Sequence, residues 1–268
     1  MTEERIPAVL SIAGSDSGGG AGIQADLKAF ARCGVHGMTA ITAITAQSTV
    51  GVEAVEPVSP ELIVAQVRSV ADDIGVDAVK VGMLGTAETI GAVREALGFV
   101  DKAPVVLDPV MVAESGAVLL DEDARSALVE QLLPLAAVVT PNIPEAAALT
   151  GLGEDAGQAE LARAVRELGP DAVVVTGGHS EDLTDVFFDG EALERIEGER
   201  HPGGASHGSG CTHSSALAAL LARGETPLES ARGAKRIASE AVGQALTDIG
   251  AGAGPVDALG VARARRRP

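Results

Sequence analysis

Aromatic and basic residues are scarce in this sequence. Its 268 residues include no tryptophan, no tyrosine and only four phenylalanines, so the chain offers no stacking platform for the bases of a single-stranded nucleic acid. Lysine and arginine together number 20 against 38 acidic residues, which gives a formal net charge of −18. Because most of such a surface repels a phosphate backbone, we expect no nucleic-acid partner.

Cysteines and long apolar runs are also few. Cys33 and Cys211 are the only cysteines, which excludes a framework of several disulfides and is typical of a reducing compartment. The first residues lack the basic and apolar regions of a secretory signal, and no apolar run approaches the ~18 residues of a membrane span. These absences predict a cytoplasmic protein that does not contact a membrane.

The rest of the composition is that of a soluble globular protein with a sizeable core. Hydrophobic residues make up 46% of the chain and charged residues 22%. The length suits one large α/β domain, and no shift in composition marks a second one. We predict a single domain over residues 1–268, with frayed tails at 1–5 and at the arginine-rich end, 259–268.

Short apolar runs alternate with stretches of helical periodicity along the chain. This pattern is typical of βα units that build a mainly parallel central sheet with helices on both faces. Strands are predicted at 8–13, 38–44, 78–81, 105–107, 137–139 and 172–175, with a weaker edge hairpin at 186–188 and 193–196. Helices are predicted at 60–74, 86–97, 121–133, 145–149, 158–168 and 228–245, from 21 to a stop at Gly34, and after Cys211.

The most informative segment is His207-Gly208-Ser209-Gly210-Cys211-Thr212-His213, which precedes a helix-forming run of small residues. Glycines before a helix let backbone N–H groups turn toward one point, and the helix dipole adds positive charge, so the segment suits an anion such as a transferring phosphoryl group. A thiol in the first turn would have its pKa lowered by the dipole, which would make Cys211 a base or nucleophile. An ordinary glycine-rich helix start around a buried cysteine explains the spacing equally well.

Two other interpretations of this segment are unfavourable. Gly204 to Gly208 formally matches the G-x-S-x-G nucleophile elbow of hydrolases, but no strand runs into it and His213 follows too closely. A metal cluster of His201, His207, Cys211 and His213 is disfavoured because residues two apart on a helix do not share a face.

Further candidates stand at predicted strand ends. The turn from Gly14 to Gly20 fits neither a Walker A motif nor a clean G-x-G-x-x-G, so it is either a close approach to a ligand or a plain tight turn. Gln47 lies just past the end of another strand, and the segments Lys80–Leu84 and Leu107–Met111 end two more. Because open α/β sheets bind ligands at the carboxyl ends of their strands, these segments predict one pocket.

Two acidic positions have ordinary structural explanations as well. Asn142 and Glu145 match a helix capping box, and a carboxylate there could equally hold Mg²⁺ through water. Asp26 lies about one turn into the first helix, where a solvated side chain is the default expectation. Spacing alone does not choose between these possibilities.

Taken in order, AGSDSGGGAGIQADLKAF, TAITAQST, KVGML, LDPVM, TPNIPEA, TGGH and HGSGCTHSSALAA resemble the hydroxymethylpyrimidine/phosphomethylpyrimidine kinases of the ribokinase-like superfamily, from about Ile6 to Gly243. The resemblance implies a three-layer α/β sandwich and a two-step kinase of thiamine biosynthesis. Such an enzyme uses MgATP to phosphorylate 4-amino-5-hydroxymethyl-2-methylpyrimidine and then its monophosphate. It also implies a homodimer.

The resemblance assigns roles to residues. The pyrimidine contacts are Gly14, Asp26, Gln47, Met83 and Val110, with Gln47 on the amino and nitrogen edge of the ring. The anion hole is Gly208 and Gly210, with Cys211 where most of the superfamily has an aspartate base. The nucleotide contacts are Asn142, Thr176, Gly177 and Thr212, and the metal-facing carboxylates are Asp108 and Glu145.

One departure and two alternatives accompany this assignment. Thr176-Gly177-Gly178-His179 stands where these kinases commonly have Lys-Gly-Gly-His, and losing that lysine should weaken ATP binding unless another cation replaces it. The sequence identifies no substitute. A pyridoxal kinase is the nearest alternative, although its cysteine-bearing branch usually has a second cysteine where this chain reads Val112-Ala113-Glu114. The other is a non-catalytic pyrimidine-binding protein.

Overall fold

The computed structural model describes residues 5–100, 102–112, 119–178 and 183–264. The strands are β1 (Ala8–Ala13), β2 (His36–Ile41), β3 (Ala43–Ser48), β4 (Gly51–Pro57), β5 (Ala78–Val81), β6 (Val105–Leu107), β7 (Val138–Val139), β8 (Ala172–Val175), β9 (Asp185–Phe188) and β10 (Leu193–Ile196). The helices are α1 (Gly22–Arg32), α2 (Pro60–Asp73), α3 (Ala87–Leu97), α4 (Glu122–Gln131), α5 (Ile143–Thr150), α6 (Gln158–Glu167), α7 (Ser209–Ala222), α8 (Pro227–Gly243) and α9 (Val261–Ala264). A 3₁₀ turn spans Leu133–Leu135.

Eight of the described strands form one sheet in the order β10-β9-β8-β7-β6-β5-β1-β2. The pairings from β8 to β2 are parallel, and the β9–β10 hairpin adds an antiparallel edge, as the sequence predicts. Strands β1, β5, β6, β7 and β8 are buried along their whole length. Continuous apolar runs are therefore needed in these strands, because both faces of the sheet are covered.

Two hydrophobic clusters cover the two faces. In β1, Leu10 and Ile12 belong to one cluster, together with buried residues of α2 to α6, while Val9 belongs to the other, with residues of α1, α7 and α8. Alternate side chains of a strand point to opposite faces, so this division places helices on both sides of the sheet. The predicted α/β sandwich of three layers is confirmed.

The strand predicted at 38–44 is wrong in its extent. The chain leaves the main sheet at Thr42, whose hydroxyl donates to the carbonyl oxygen of Met83 at 2.9 Å. It then enters a separate antiparallel hairpin of β3 and β4. The sequence missed β4 because this strand buries almost nothing, and its Val55 is 46% exposed. The hairpin nevertheless matters for function because it carries Gln47.

Parts of both chain ends that were predicted to be frayed make ordered contacts. Arg5 forms an ion pair with Asp77, and the one-turn helix α9 lies inside the segment predicted as the second tail. Its first amides, at Val261 and Ala262, donate to the carboxylate of Asp257. Over the residues described, no helix combines the length and the apolar composition that crossing a membrane requires.

Candidate active site

A cavity of about 710 Å³ lies at the carboxyl ends of the parallel strands. Strands β1, β5, β6, β7 and β8 are neighbours in the sheet, so the segments that follow them meet at one edge. The predicted site residues that line the cavity are Gly14, Gln47, Met83, Asp108, Val110, Asn142, Glu145, Thr176, Gly208, Gly210 and Cys211. Asp26, Gly177 and Thr212 are not among the lining residues.

The glycine-rich turn after β1 is organised by Asp16, a residue that the sequence did not single out. Its carboxylate accepts hydrogen bonds from the backbone N–H groups of Gly18, Gly20 and Ala21 at 2.8–2.9 Å. Nε2 of His207 lies 3.3 Å from the same carboxylate. Although burial works in the opposite direction, these donors lower the pKa of Asp16. The turn therefore presents a fixed negative charge that ties β1 to the segment preceding α7.

The end of the cavity next to this turn carries three of the predicted pyrimidine contacts, Gly14, Gln47 and Met83. Ser17 links the turn to the β3 strand, because its hydroxyl donates to the carbonyl oxygen of Gln47 and accepts from the N–H of Gln47. The methyl end of Met83 lies so close to Gly14 that a side chain at Gly14 would collide with it. Gly14, Gln47 and Met83 thus come together from three separate elements, as the prediction of one pocket requires.

The first turn of α7 faces the cavity as the sequence predicts. Gly208 is the N-cap residue in a left-handed conformation, with φ of 82°, and no side chain caps the first amides of the helix. Gly208, Ser209, Gly210 and Cys211 all line the cavity. The N–H of Ser209 donates to the carbonyl oxygen of Ser206, but the amides of Gly210 and Cys211 have no side-chain cap, and such amides at the start of a 14-residue helix attract negative charge. This geometry favours the anion site over an ordinary buried helix start.

The prediction of a lowered thiol pKa at Cys211 is wrong. Burial raises the pKa of Cys211 to about 12; Lys80 opposes that rise, while the carboxylates of Asp26 and Asp108 add to it. The sequence argument considered only the helix dipole, which is weaker than the loss of solvation around a buried thiolate. At neutral pH the thiol is protonated.

Asp26 lies beneath the cavity, where the sequence predicted a solvated or pyrimidine-contacting residue. Both Asp26 and Lys80 are fully buried, and the Lys80 ammonium lies 3.0 and 3.1 Å from the two carboxylate oxygens. Hydroxyls of Ser11 and Ser215 donate to the same carboxylate. Burial disfavours the charge on Lys80, but Asp26, Cys211 and Asp108 outweigh it and raise its pKa.

Lys80 itself lines the cavity, as predicted for the segment Lys80–Leu84, but the sequence analysis gave it no role in the site. Its sequence signal is a lysine in the middle of the apolar strand Ala78–Val81. A charge in such a strand is rare unless it is paired, so the position alone indicates a buried partner. It does not say which carboxylate that partner is.

Asp108 and Glu145 form a pair of carboxyl groups on the cavity wall. Asp108 accepts a hydrogen bond from Ser214 at 2.8 Å, and burial raises its pKa. Glu145 completes the capping box with Asn142, so the structural explanation of this motif is correct. Burial and repulsion by Asp108 raise the pKa of Glu145 to about 8. A divalent cation would relieve this repulsion, and Mg²⁺ commonly binds through one or two carboxylates, so these two residues fit the metal role.

The segment after β8 forms the other end of the cavity. Thr176 donates its N–H to the carbonyl oxygen of Pro141, and Gly177 donates its N–H to Asp185 at 2.9 Å. Lys235 of α8 lies 2.6 Å from the same carboxylate oxygen. Asp185 and Lys235 line the cavity but carry no sequence motif, which is why the sequence missed them.

Thr212, one of the predicted nucleotide contacts, does not line the cavity. Thr212 is fully buried, and its hydroxyl has no hydrogen-bond partner among the described residues. His179 of the Thr-Gly-Gly-His segment lies outside the part of the chain that the structure describes.

Comparison with known proteins identifies the family of the chain. The pattern of the phosphomethylpyrimidine kinase family matches residues 16–257. A hydroxymethylpyrimidine/phosphomethylpyrimidine kinase of Rhizobium meliloti is 52% identical over 92% of this chain and 95% of its own length.

Solved structures agree with this grouping. An ADP complex of Bacillus subtilis pyridoxal kinase is 38% identical, with a TM-score of 0.87 over 97% of this chain and 99% of that one. A phosphomethylpyrimidine kinase of Clostridium difficile is also 38% identical, with a TM-score of 0.77 over 89% and 100% of the two chains. The predicted ribokinase-like fold and kinase activity are thereby confirmed, and the chain belongs to the phosphomethylpyrimidine kinase family.

Proposed function

We propose that the protein uses MgATP to phosphorylate 4-amino-5-hydroxymethyl-2-methylpyrimidine and then its monophosphate. The observation that carries this proposal is the shared cavity, in which Gln47 and Met83 stand at one end and the uncapped first turn of α7 faces the interior. An amide side chain suits the amino and nitrogen edge of a pyrimidine, and the helix start suits the phosphoryl group that must approach it.

In the proposed reaction the substrate oxygen attacks the γ-phosphorus of ATP. An O–P bond forms, the bond from that phosphorus to the β,γ-bridging oxygen breaks, and ADP leaves with the electron pair. The attacking hydroxyl releases its proton to water as the O–P bond forms, and in the second step the phosphate oxygen attacks as an anion. Backbone amides of Gly208, Gly210 and Cys211 stabilise the charge on the transferring group, because they are oriented before the reaction begins.

The two carboxylates on the cavity wall would hold the metal. Asp108 and Glu145 would each offer an oxygen, and Mg²⁺ bound there would neutralise charge on the phosphates. Within the described residues no cluster of three or more potential metal ligands occurs, so water and phosphate oxygens would complete the coordination. The capping box holds Glu145 in place for this role.

The proposal is tested by measuring ADP release from MgATP with three acceptors: the pyrimidine, its monophosphate and pyridoxal. We expect turnover with both pyrimidines and slower turnover with pyridoxal. The resemblance to Bacillus subtilis pyridoxal kinase makes that aldehyde the relevant competitor. Faster turnover of pyridoxal would assign the protein to the alternative, and binding of the pyrimidine without any turnover would indicate a non-catalytic protein.

Cys211 contributes mainly to turnover in this proposal. Cys211→Ala is expected to lower kcat by up to about a hundredfold, because a protonated thiol can stabilise the transition state but is a poor base. The pyrimidine KM should stay within about tenfold, which steady-state kinetics would measure. Cys33→Ala is the control, since Cys33 is buried and lies outside the cavity. Equal losses of binding and turnover would make Cys211 a packing residue.

Three broader expectations also remain proposals. We propose a single kinase domain, because the main sheet takes its strands from Ala8 to Ile196 and α7 and α8 cover one face of it. The homodimer and the cytoplasmic location rest on the family and on the composition.

A further inference from the structure

His213 is a buried polar side chain without a hydrogen bond. It is 4% exposed and lines the cavity, yet neither of its ring nitrogens has a hydrogen-bond partner in the described part of the chain. Nε2 lies 3.5 Å from a carboxylate oxygen of Asp185, beyond good hydrogen-bond distance. Leaving a buried donor or acceptor unpaired is costly, so the side chain is positioned for a partner that enters the cavity.

His213 is part of a charged group at the end of β8. The other oxygen of Asp185 already accepts from Lys235 at 2.6 Å and from the N–H of Gly177 at 2.9 Å. His213 on α7 and Lys235 on α8 therefore lie on either side of the carboxylate that binds the backbone next to Thr176. All three charged or titratable side chains line the same cavity.

The side chains of His213 and Cys211 point in different directions from α7. Two residues along a helix differ by about 200° around its axis, so the two side chains leave α7 on different faces. Lys80, Asp26 and Asp108, from the other elements around α7, act on Cys211. The charged groups that act on His213 are Asp185 of β9 and Lys235 of α8.

We propose that His213, together with Lys235, binds the phosphate groups of the nucleotide and supplies the cationic contact that Thr176 does not. The inference rests on the proposed kinase function and adds a residue to it. A nucleotide phosphate within the cavity would give the imidazole the hydrogen-bond acceptor that it lacks. Lys235 would add a charge already oriented by Asp185.

Nucleotide binding should also change the protonation of His213. In the absence of nucleotide, burial lowers the pKa of His213 and Lys235 lowers it further, while Asp185 raises it, so the ring is neutral near pH 7. A bound phosphate favours the imidazolium and raises that pKa. Nucleotide binding should then take up a proton at His213, and affinity should fall as pH rises through the pKa of the complex.

Binding of MgADP to the full chain tests this directly, by titration calorimetry in buffers of different ionisation enthalpy. His213→Leu is expected to weaken MgADP binding about tenfold near pH 6.5, which corresponds to one charge-assisted hydrogen bond, and to abolish proton uptake. His213→Gln keeps an N–H donor, so it should bind better than the leucine variant while also taking up no proton. In kinetics the ATP KM should rise and the pyrimidine KM should not.

Two further variants sharpen the test. Adding Thr176→Lys to His213→Leu should restore most of the MgADP affinity, because a lysine returns to the same end of the cavity. His36→Leu is the matched control, since His36 is exposed at the start of β2 and outside the cavity, and it should bind MgADP like the wild type.

The outcomes separate this inference from the proposed function. Wild-type affinity and proton uptake in both His213 variants would overturn the role of His213, whichever acceptor the enzyme prefers. Failure of the wild type to phosphorylate the pyrimidine would overturn the proposed function, whereas MgADP binding in the absence of acceptor would still report on His213. If His213→Leu does not fold, the proton uptake of His213→Gln is sufficient for the test. Loss of proton uptake supports the role of His213, and uptake like that of the wild type overturns it.

Discussion

Replacing Lys80 with methionine is expected to lower the free energy of unfolding by about 3–5 kcal/mol, because it leaves the carboxylate of Asp26 buried without its cation. Both side chains are fully buried, and the ion pair lies between β5 and α1 with hydroxyls from β1 and α7 around it. Denaturant unfolding of the purified variant at pH 7 would measure the loss. Turnover should fall as well, since Lys80 lines the cavity and faces Cys211.

Two controls distinguish the charge from the packing. The double variant Asp26→Asn/Lys80→Met should lose less stability than Lys80→Met, because removing both charges avoids an unpaired buried carboxylate. Arg232→Ala removes exposed ion pairs with Glu229 and Glu194 and should cost no more than about 1 kcal/mol. If the single and double variants unfold at the same denaturant concentration, the ion pair is not what stabilises this region.

For Lys80 the sequence predicted the strand but not the partner of its side chain. Its strand was predicted correctly at 78–81, because an apolar run buried on both faces of a sheet is a local signal. Its partner was not predicted, because Asp26 lies 54 residues away and Ser215 joins the same carboxylate from a helix 189 residues beyond Asp26. Pairings of this kind depend on the packing of α1 and α7 against the sheet, which no local pattern contains.

For Cys211 the sequence predicted the local structure but not the pKa of the thiol. The glycine-flanked helix start was predicted from spacing, and the structure places it on the cavity. The predicted direction of the shift in the thiol pKa was wrong. The residues that bury the thiol and the two nearby carboxylates come from distant parts of the chain. The hairpin strand β4 was missed for a different reason: an exposed strand leaves no hydrophobic signature.

Gly208→Ala is expected to reduce turnover by about a hundredfold or more, the usual cost of losing one preorganised donor at a developing charge. Gly208 has a φ of 82°, and a methyl group there would overlap the carbonyl oxygen of Gly20. To accommodate it, the start of α7 must separate from the glycine-rich turn, which moves the first amides of the helix away from the transferring phosphoryl group. Steady-state kinetics with MgATP and the pyrimidine would measure the effect.

Gly224→Ala is the matched control for this prediction. Gly224 follows α7 with a similar φ of 88°, but a methyl group there meets no atom within 4 Å, and the residue does not line the cavity. Both variants share the backbone strain of an alanine in the left-handed region, about 1–2 kcal/mol, so both should unfold more readily. Only Gly208→Ala should lose turnover, because only there does the methyl group press on the Gly20 backbone. Similar kcat values for the two variants would mean that the contact between the turn and α7 does not position the anion site.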